Sequence, residues 1–270
     1  MFSIPGRNTA TGLILLTLTW LGAAPLVAQS SEDKDPKALV ERMVRTIGGK
    51  DALYKLKDVQ YTYIYEDAKT GKQDVSTERY IFDGELSWAE YHKTDCTMPD
   101  VKGTLVQSYD GKQSWTTLDG KPVEDPKMQK RSDFLRKTNY YWFAMMFKLL
   151  DPGMFYKYKG TQQIDGITYD LVEVGFETGI GDAQDTYVLY INPYTHIVDQ
   201  FLFTVMDFGV KDPLLMRVKY QTVDGVMLPS VRHYTPSNWE AEPGDKWMLE
   251  IMQDIKFNNG FKRETFSGQP

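Results

Sequence analysis

The sequence predicts a mainly β, α+β protein: a long antiparallel meander, interrupted once by a helix that lies inside a concavity. Three observations carry this. Apolar and polar residues alternate with period two in a succession of runs between Val59 and Phe257. Asp-Gly steps fall between those runs at Asp83-Gly84, Asp110-Gly111, Asp119-Gly120, Asp165-Gly166 and Asp224-Gly225. Asp-Gly between alternating runs is the strongest short-range hairpin signal. The third is the segment from Tyr140 to Leu150, apolar on nearly every side, which marks a helix buried on several faces.

The first element is not part of the fold. Arg7 is the one charge ahead of an uncharged run from Leu13 to Ala28, which ends in small residues. A positive start, an apolar stretch of roughly 10–15 residues and a small residue at the boundary are what signal peptidase reads. Residues 1–28 are therefore expected to be a cleavable Sec-type signal peptide. The run is short of the roughly 20 apolar residues of a spanning helix and is broken by Pro25. No Cys stands at the boundary for lipid attachment, so residues 29–270 are expected as a single unanchored domain, periplasmic or secreted.

Asp35-Pro36 starts a helix, with Asp as N-cap and Pro where its missing N–H costs nothing. Leu39, Val40, Met43, Val44 and Ile47 share one face of this helix over 36–47, and Gly48-Gly49 stops it. A short helical stretch follows from Asp51 to Leu56. In the first strand Val59, Tyr61, Tyr63 and Tyr65 face one way, with Gln60, Thr62 and Glu66 opposite. The interrupting helix is expected from a cap at Ser132 or Asp133 to Leu150, ended by Asp151-Pro152-Gly153.

The formal net charge is −6, and losing Arg7 with the leader makes it one more negative. That excludes the concentrated basic surface nucleic acid requires. Cys96 is the only cysteine, so no intrachain disulfide forms and stability rests on the core. His92, His196 and His233 stand at no metal-ligand spacing. Asp182 with Asp185, and Glu240 with Glu242, are loop acids of the kind water normally solvates. Nucleophile elbow, P-loop, zinc helix and dinucleotide fingerprint are absent from the sequence, and no cofactor or metal is expected.

The better lead is apolar. If the sheet curves, strand parity puts Tyr61, Tyr63, Tyr80, Leu86 and Trp88 on one concave wall. Trp142, Phe143, Met145, Met146 and Phe147 of the interrupting helix then pack against or plug it. Met is adaptable filling where a surface receives varied apolar ligands. The bland alternative is an ordinary core between helix and sheet.

Several phrases in order carry a resemblance. VERMVRTIGGKDALYKLKDV (40–59) precedes DGKQSWTTLDGKPV (110–123), the NYYWFAMMFKLLDPG helix (139–153), TYVLYINPYTHIVDQFLFTV (186–205) and VDGVMLPSVRHYT (223–235). This layout resembles the LolA/LolB lipoprotein-carrier superfamily, and an exported bacterial family that shares the 139–153 helix. The resemblance implies a strongly curved, unclosed β-barrel with helices over the opening, whose cavity takes the acyl chains of lipoproteins. It also implies a second use of the fold, as a sensor domain. The carriers have an Arg-Pro step at the end of an early strand, whose Arg ties the lid helices. Here the region reads Arg79-Tyr80-Ile81-Phe82, so no such role passes to Arg79.

The expected function is a non-catalytic binding or carrier module for a lipophilic molecule or acyl chain, with an envelope protein as a further partner. Two alternatives stand beside it: an envelope-acting hydrolase with an unrecognised acid pair, and a sensory or structural partner-binding domain. An outer-membrane barrel is disfavoured by Arg217, Lys219 and Glu250 along the strands.

Overall fold

A computed structural model describes residues 34–177, 179 and 184–267; the expected signal peptide lies outside them. Asp35 caps the first helix, α1 (Pro36–Thr46), its carboxylate accepting from the Lys37 and Ala38 N–H groups. Gly48 then takes a φ of +113°, and a Cβ there would sit 2.9 Å from the Gly225 carbonyl oxygen. Only glycine fits this close approach. A short helix, α2 (Lys50–Lys55), leads into the sheet.

Among the described residues, thirteen antiparallel strands make one sheet. They are β1 (Asp58–Asp67), β2 (Gln73–Ile81), β3 (Leu86–Thr94), β4 (Leu105–Tyr109), β5 (Ser114–Leu118), β6 (Lys121–Pro122), β7 (Met154–Ile164), β8 (Ile167–Phe176), β9 (Tyr187–Ile191), β10 (Val198–Val205), β11 (Val210–Val223), β12 (Val226–Pro236) and β13 (Met248–Phe257). The spatial order is β6-β5-β4-β3-β2-β1-β13-β12-β11-β10-β9-β8-β7, so β6 and β7 are edges and the barrel stays unclosed. β13 pairing with β1 joins the two halves of the meander.

Three Asp-Gly steps form two-residue turns with both residues at positive φ: Asp119-Gly120, Asp165-Gly166 and Asp224-Gly225. This backbone twist matches that of the flanking strands and sets the pairs Leu118↔Lys121, Ile164↔Ile167 and Val223↔Val226. The steps at 83–84 and 110–111 instead sit in four-residue loops, closing Ile81↔Leu86 and Tyr109↔Ser114.

The third helix, α3, runs from Pro126 to Lys148 and starts earlier than the sequence reading placed it. Asp125 caps it by accepting from Lys127 N–H, with Pro126 in the first turn. This repeats the Asp35-Pro36 signature. Ser132 and Asp133 do other work: Ser132 Oγ accepts from Thr116 Oγ1 at 2.5 Å, and Asp133 accepts from Ser114 Oγ.

α3 shows that the sheet curves. Its side chains reach β5 through Ser132, β1 and β2 through Phe143, and β9 and β10 through Trp142. One helix touches strands near opposite ends of the order only if the sheet wraps around it. The main core fills that concavity, joined by Val40, Met43, Val44 and Ile47 of α1.

Candidate functional site

The concave face receives the C-terminal half of α3. Phe143 is wholly buried, its ring stacked between Tyr61 (centroids 5.8 Å apart) and Phe82 (5.9 Å), with Tyr80 at 5.5 Å. Ala144, Met145, Met146 and Phe147 are each no more than 1 % exposed. Trp142 stacks on Phe201 and meets Phe203 edge-on at 5.0 Å. Aromatic pairs at such separations add about 0.5–1.5 kcal/mol each beyond the area they bury.

Of the residues expected on the concave wall, Tyr61, Tyr63, Tyr80, Trp142, Phe143, Met146 and Phe147 are brought together in the main core or against it. Leu86 and Trp88 are not. They sit in a separate cluster with Ile81, Phe261 and Phe266 on the opposite face, under the 3-10 turn Arg263–Phe266. The four-residue loop is the reason. It pairs Leu86 with Ile81, so Ser87 is the residue opposite Tyr80. Arg79 lies on that outer face too, its guanidinium 4.2 Å from the Trp88 ring and its Nε donating to Gln60 Oε1.

Two buried ion pairs, neither anticipated, pin α3. Arg136 donates to Glu78 through Nη1 (2.6 Å) and Nη2 (3.2 Å), and both side chains are fully buried. Glu78 also accepts from Ser76, Tyr80 and Asn139, and Arg136 donates to the Tyr91 hydroxyl at 3.1 Å. Tyr80 and Tyr61 share a hydroxyl contact at 2.9 Å, which ties the aromatic wall to this network. On the strand pair β12–β13, Arg232 stands opposite Glu250 in register and pairs with it at 2.7 Å. Arg232 Nη1 donates to the Trp142 carbonyl at 2.8 Å, so a strand arginine holds α3 by its backbone.

Burial works against the charge on both arginines, but the facing carboxylates outweigh it and both titrate above the usual arginine range. Burial likewise pushes Tyr91 up to about 12 and holds Tyr80 and Tyr63 well above the ordinary tyrosine value. The signal for these residues was present in the sequence. Glu78 shares strand parity with Tyr80, and Arg136 lies one helical turn before Tyr140 on the apolar stripe.

Two pockets open elsewhere, and neither is lined by α3. One of about 620 Å³ is bounded by Tyr54, Asp58, Ile81, Phe82, Glu85 and Phe261. The other, about 310 Å³, lies between α1 and the β9–β10 turn, at Leu39, Arg42, Pro193 and His196. Among the described residues no three His, Cys, Asp or Glu side chains gather as a metal site, and no helix is long and apolar enough to cross a membrane. Cys96 is half-buried against the Lys72 carbonyl, and burial raises its thiol.

No family model and no curated protein matches the chain in sequence. Solved structures match it in fold. A DUF1329 family protein from Desulfovibrio piger superposes with a TM-score of 0.56 at 15% identity, covering 87% of this chain and 98% of that one. A LolA superfamily protein from Nitrosomonas europaea superposes with a TM-score of 0.52 at 10% identity, again covering 87% and 98%. The likeness is one of fold: the chain has the curved, unclosed LolA-like sheet that its layout resembles.

Proposed function

We propose that the protein is a non-catalytic binding or carrier module for a long-chain lipophilic ligand, exported and freed by cleavage after Ala28. The observation that carries this reading is the plug. The apolar half of α3 occupies the concave aromatic face, where a chain of methylenes would find the same surroundings. The LolA-like fold supports it.

The magnitudes limit the ligand. Exposing Phe143, Met145, Met146 and Phe147 would cost about 6–12 kcal/mol at the usual value for each large apolar side chain. A ligand recovers about 0.8 kcal/mol for each methylene buried in their place. Roughly a dozen methylenes are needed to balance the exchange, so long acyl chains compete with α3 and short ones do not. An acid-pair hydrolase has less support, because Glu78 and Glu250 are each engaged by an arginine.

The test is a titration of delipidated protein with fluorescent fatty acids of increasing length. Uptake that begins at long chains supports the carrier, and no uptake at any length removes it. A second reading, a partner-binding or sensory domain, rests on one observation: the interior is filled by the protein's own side chains. Absent uptake together with an envelope protein retained on the purified chain would favour it.

A further inference from the structure

The exposed half of α3 carries a surface that the interior does not explain. Lys127, Lys130 and Arg131 are all exposed, and none forms an ion pair among the described residues. The spacing i, i+3, i+4, i+7 puts them on one side of the helix with Phe134. Phe134 meets Phe208 edge to face at 4.8 Å. Phe208 is 66 % exposed and Met206 38 %, both in the 3-10 turn Met206–Phe208 at the tip of the β10–β11 hairpin. The antiparallel order puts that tip at the same end of the sheet as the β5–β6 turn, where Lys121 is exposed.

The neighbouring acids are partly committed. Asp125 caps the helix, and Asp133 pairs with Lys137 at 2.9 Å. Asp119, Glu124, Asp125 and Asp207 are exposed acids of these segments, so the excess of cations is confined to the face of α3 itself. The stretch from Pro126 to Ser132 has three cations and no acid, on a chain whose formal net charge is −6.

We infer that this face of α3, with the Met206–Phe208 turn beside it, docks on an anionic lipid surface. Cations beside exposed aromatic and Met side chains are the combination that binds an interface, with charge held at the headgroups and apolar tips just beneath. The charge distribution also fixes the orientation. A negatively charged body is repelled by such a surface, so only the basic face can approach. The inference is independent of what fills the interior.

The test is sedimentation of the intact protein with large vesicles of phosphatidylcholine, alone or mixed with phosphatidylglycerol. Binding is expected on the mixed vesicles only, and it should weaken as salt rises. One cation near an anionic surface is worth about fivefold in binding. The K130E/R131E variant should therefore lose at least about twentyfold, and Phe208→Ser several-fold, with unchanged melting profiles. The salt dependence of the unaltered protein tests the inference even if a variant folds poorly. Equal binding to both vesicles, no binding to either, or full binding by the charge-reversed protein would overturn it. A surface meant for an acidic protein would give the second of these results. Fatty-acid uptake in solution should be the same in these variants, so loss of docking is distinguishable from loss of carrier function.

Discussion

From Pro126 to Lys137, α3 keeps a water-facing row of cations and hides only Ser132 and Arg136 completely, with Met128 and Leu135 packed on a small cluster around Tyr91 and Met98. From Tyr140 to Phe147 the same helix hides nearly everything. The first half has one apolar stripe because it lies on a sheet; the second lacks a polar face because the sheet curls around it. A single helix thus records where the concavity begins. The boundary is the turn containing Arg136 and Asn139, both bound to Glu78. Polarity along α3 is a map of enclosure, and that can be tested by breaking each half separately.

The largest effect should come from the enclosed half. Phe143→Ala removes a ring stacked on both sides and is expected to cost about 3–5 kcal/mol in urea unfolding. Arg131→Gln in the exposed half should stay within about 0.5 kcal/mol. Similar costs for the two would erase the contrast.

At the boundary, Arg136→Met leaves Glu78 charged, buried and unpaired, an expected loss of about 3–5 kcal/mol. The double variant Arg136→Met/Glu78→Leu should be much more stable than that single one, since the desolvation of both charges is then relieved. If the double is as unstable as the single, the pair is not what the boundary depends on.

A smaller effect is set by pH. Burial raises Tyr91 to about 12 and holds Tyr80 well above the ordinary value, while unfolded tyrosine titrates near 10. A raised acid stabilises the fold fully below its unfolded pKa, and that contribution is lost as pH climbs through the folded value. Stability measured by urea should therefore fall between about pH 10 and 12. Absorbance near 295 nm should show these tyrosines ionising only as the fold is lost. Smallest is Asp125→Ala, which removes the cap of the exposed half and should cost about 1 kcal/mol.

Much of this frame was legible from local chemistry. The turns at Asp119-Gly120, Asp165-Gly166 and Asp224-Gly225 announce their hairpins, because two residues at positive φ are a local demand. The start of α3 was equally legible in Asp125-Pro126, but the polar turns that follow masked it. The faces of Leu86 and Trp88 were not, because a loop's residue count decides which side of the sheet the next strand presents. The partnership of Glu78 with Arg136 joins residues 58 positions apart, and no local pattern encodes such a distance.

The unpaired edges carry one more consequence. A closed barrel is a hoop, whose girth is fixed by strand number and stagger. Here β6 and β7 are not partners, so the sheet is a gutter with a long seam. It can flare by relaxing the twist between neighbouring strands, with every rung of the ladder intact. Admitting a bulky guest then requires bending of the wall rather than rupture of it.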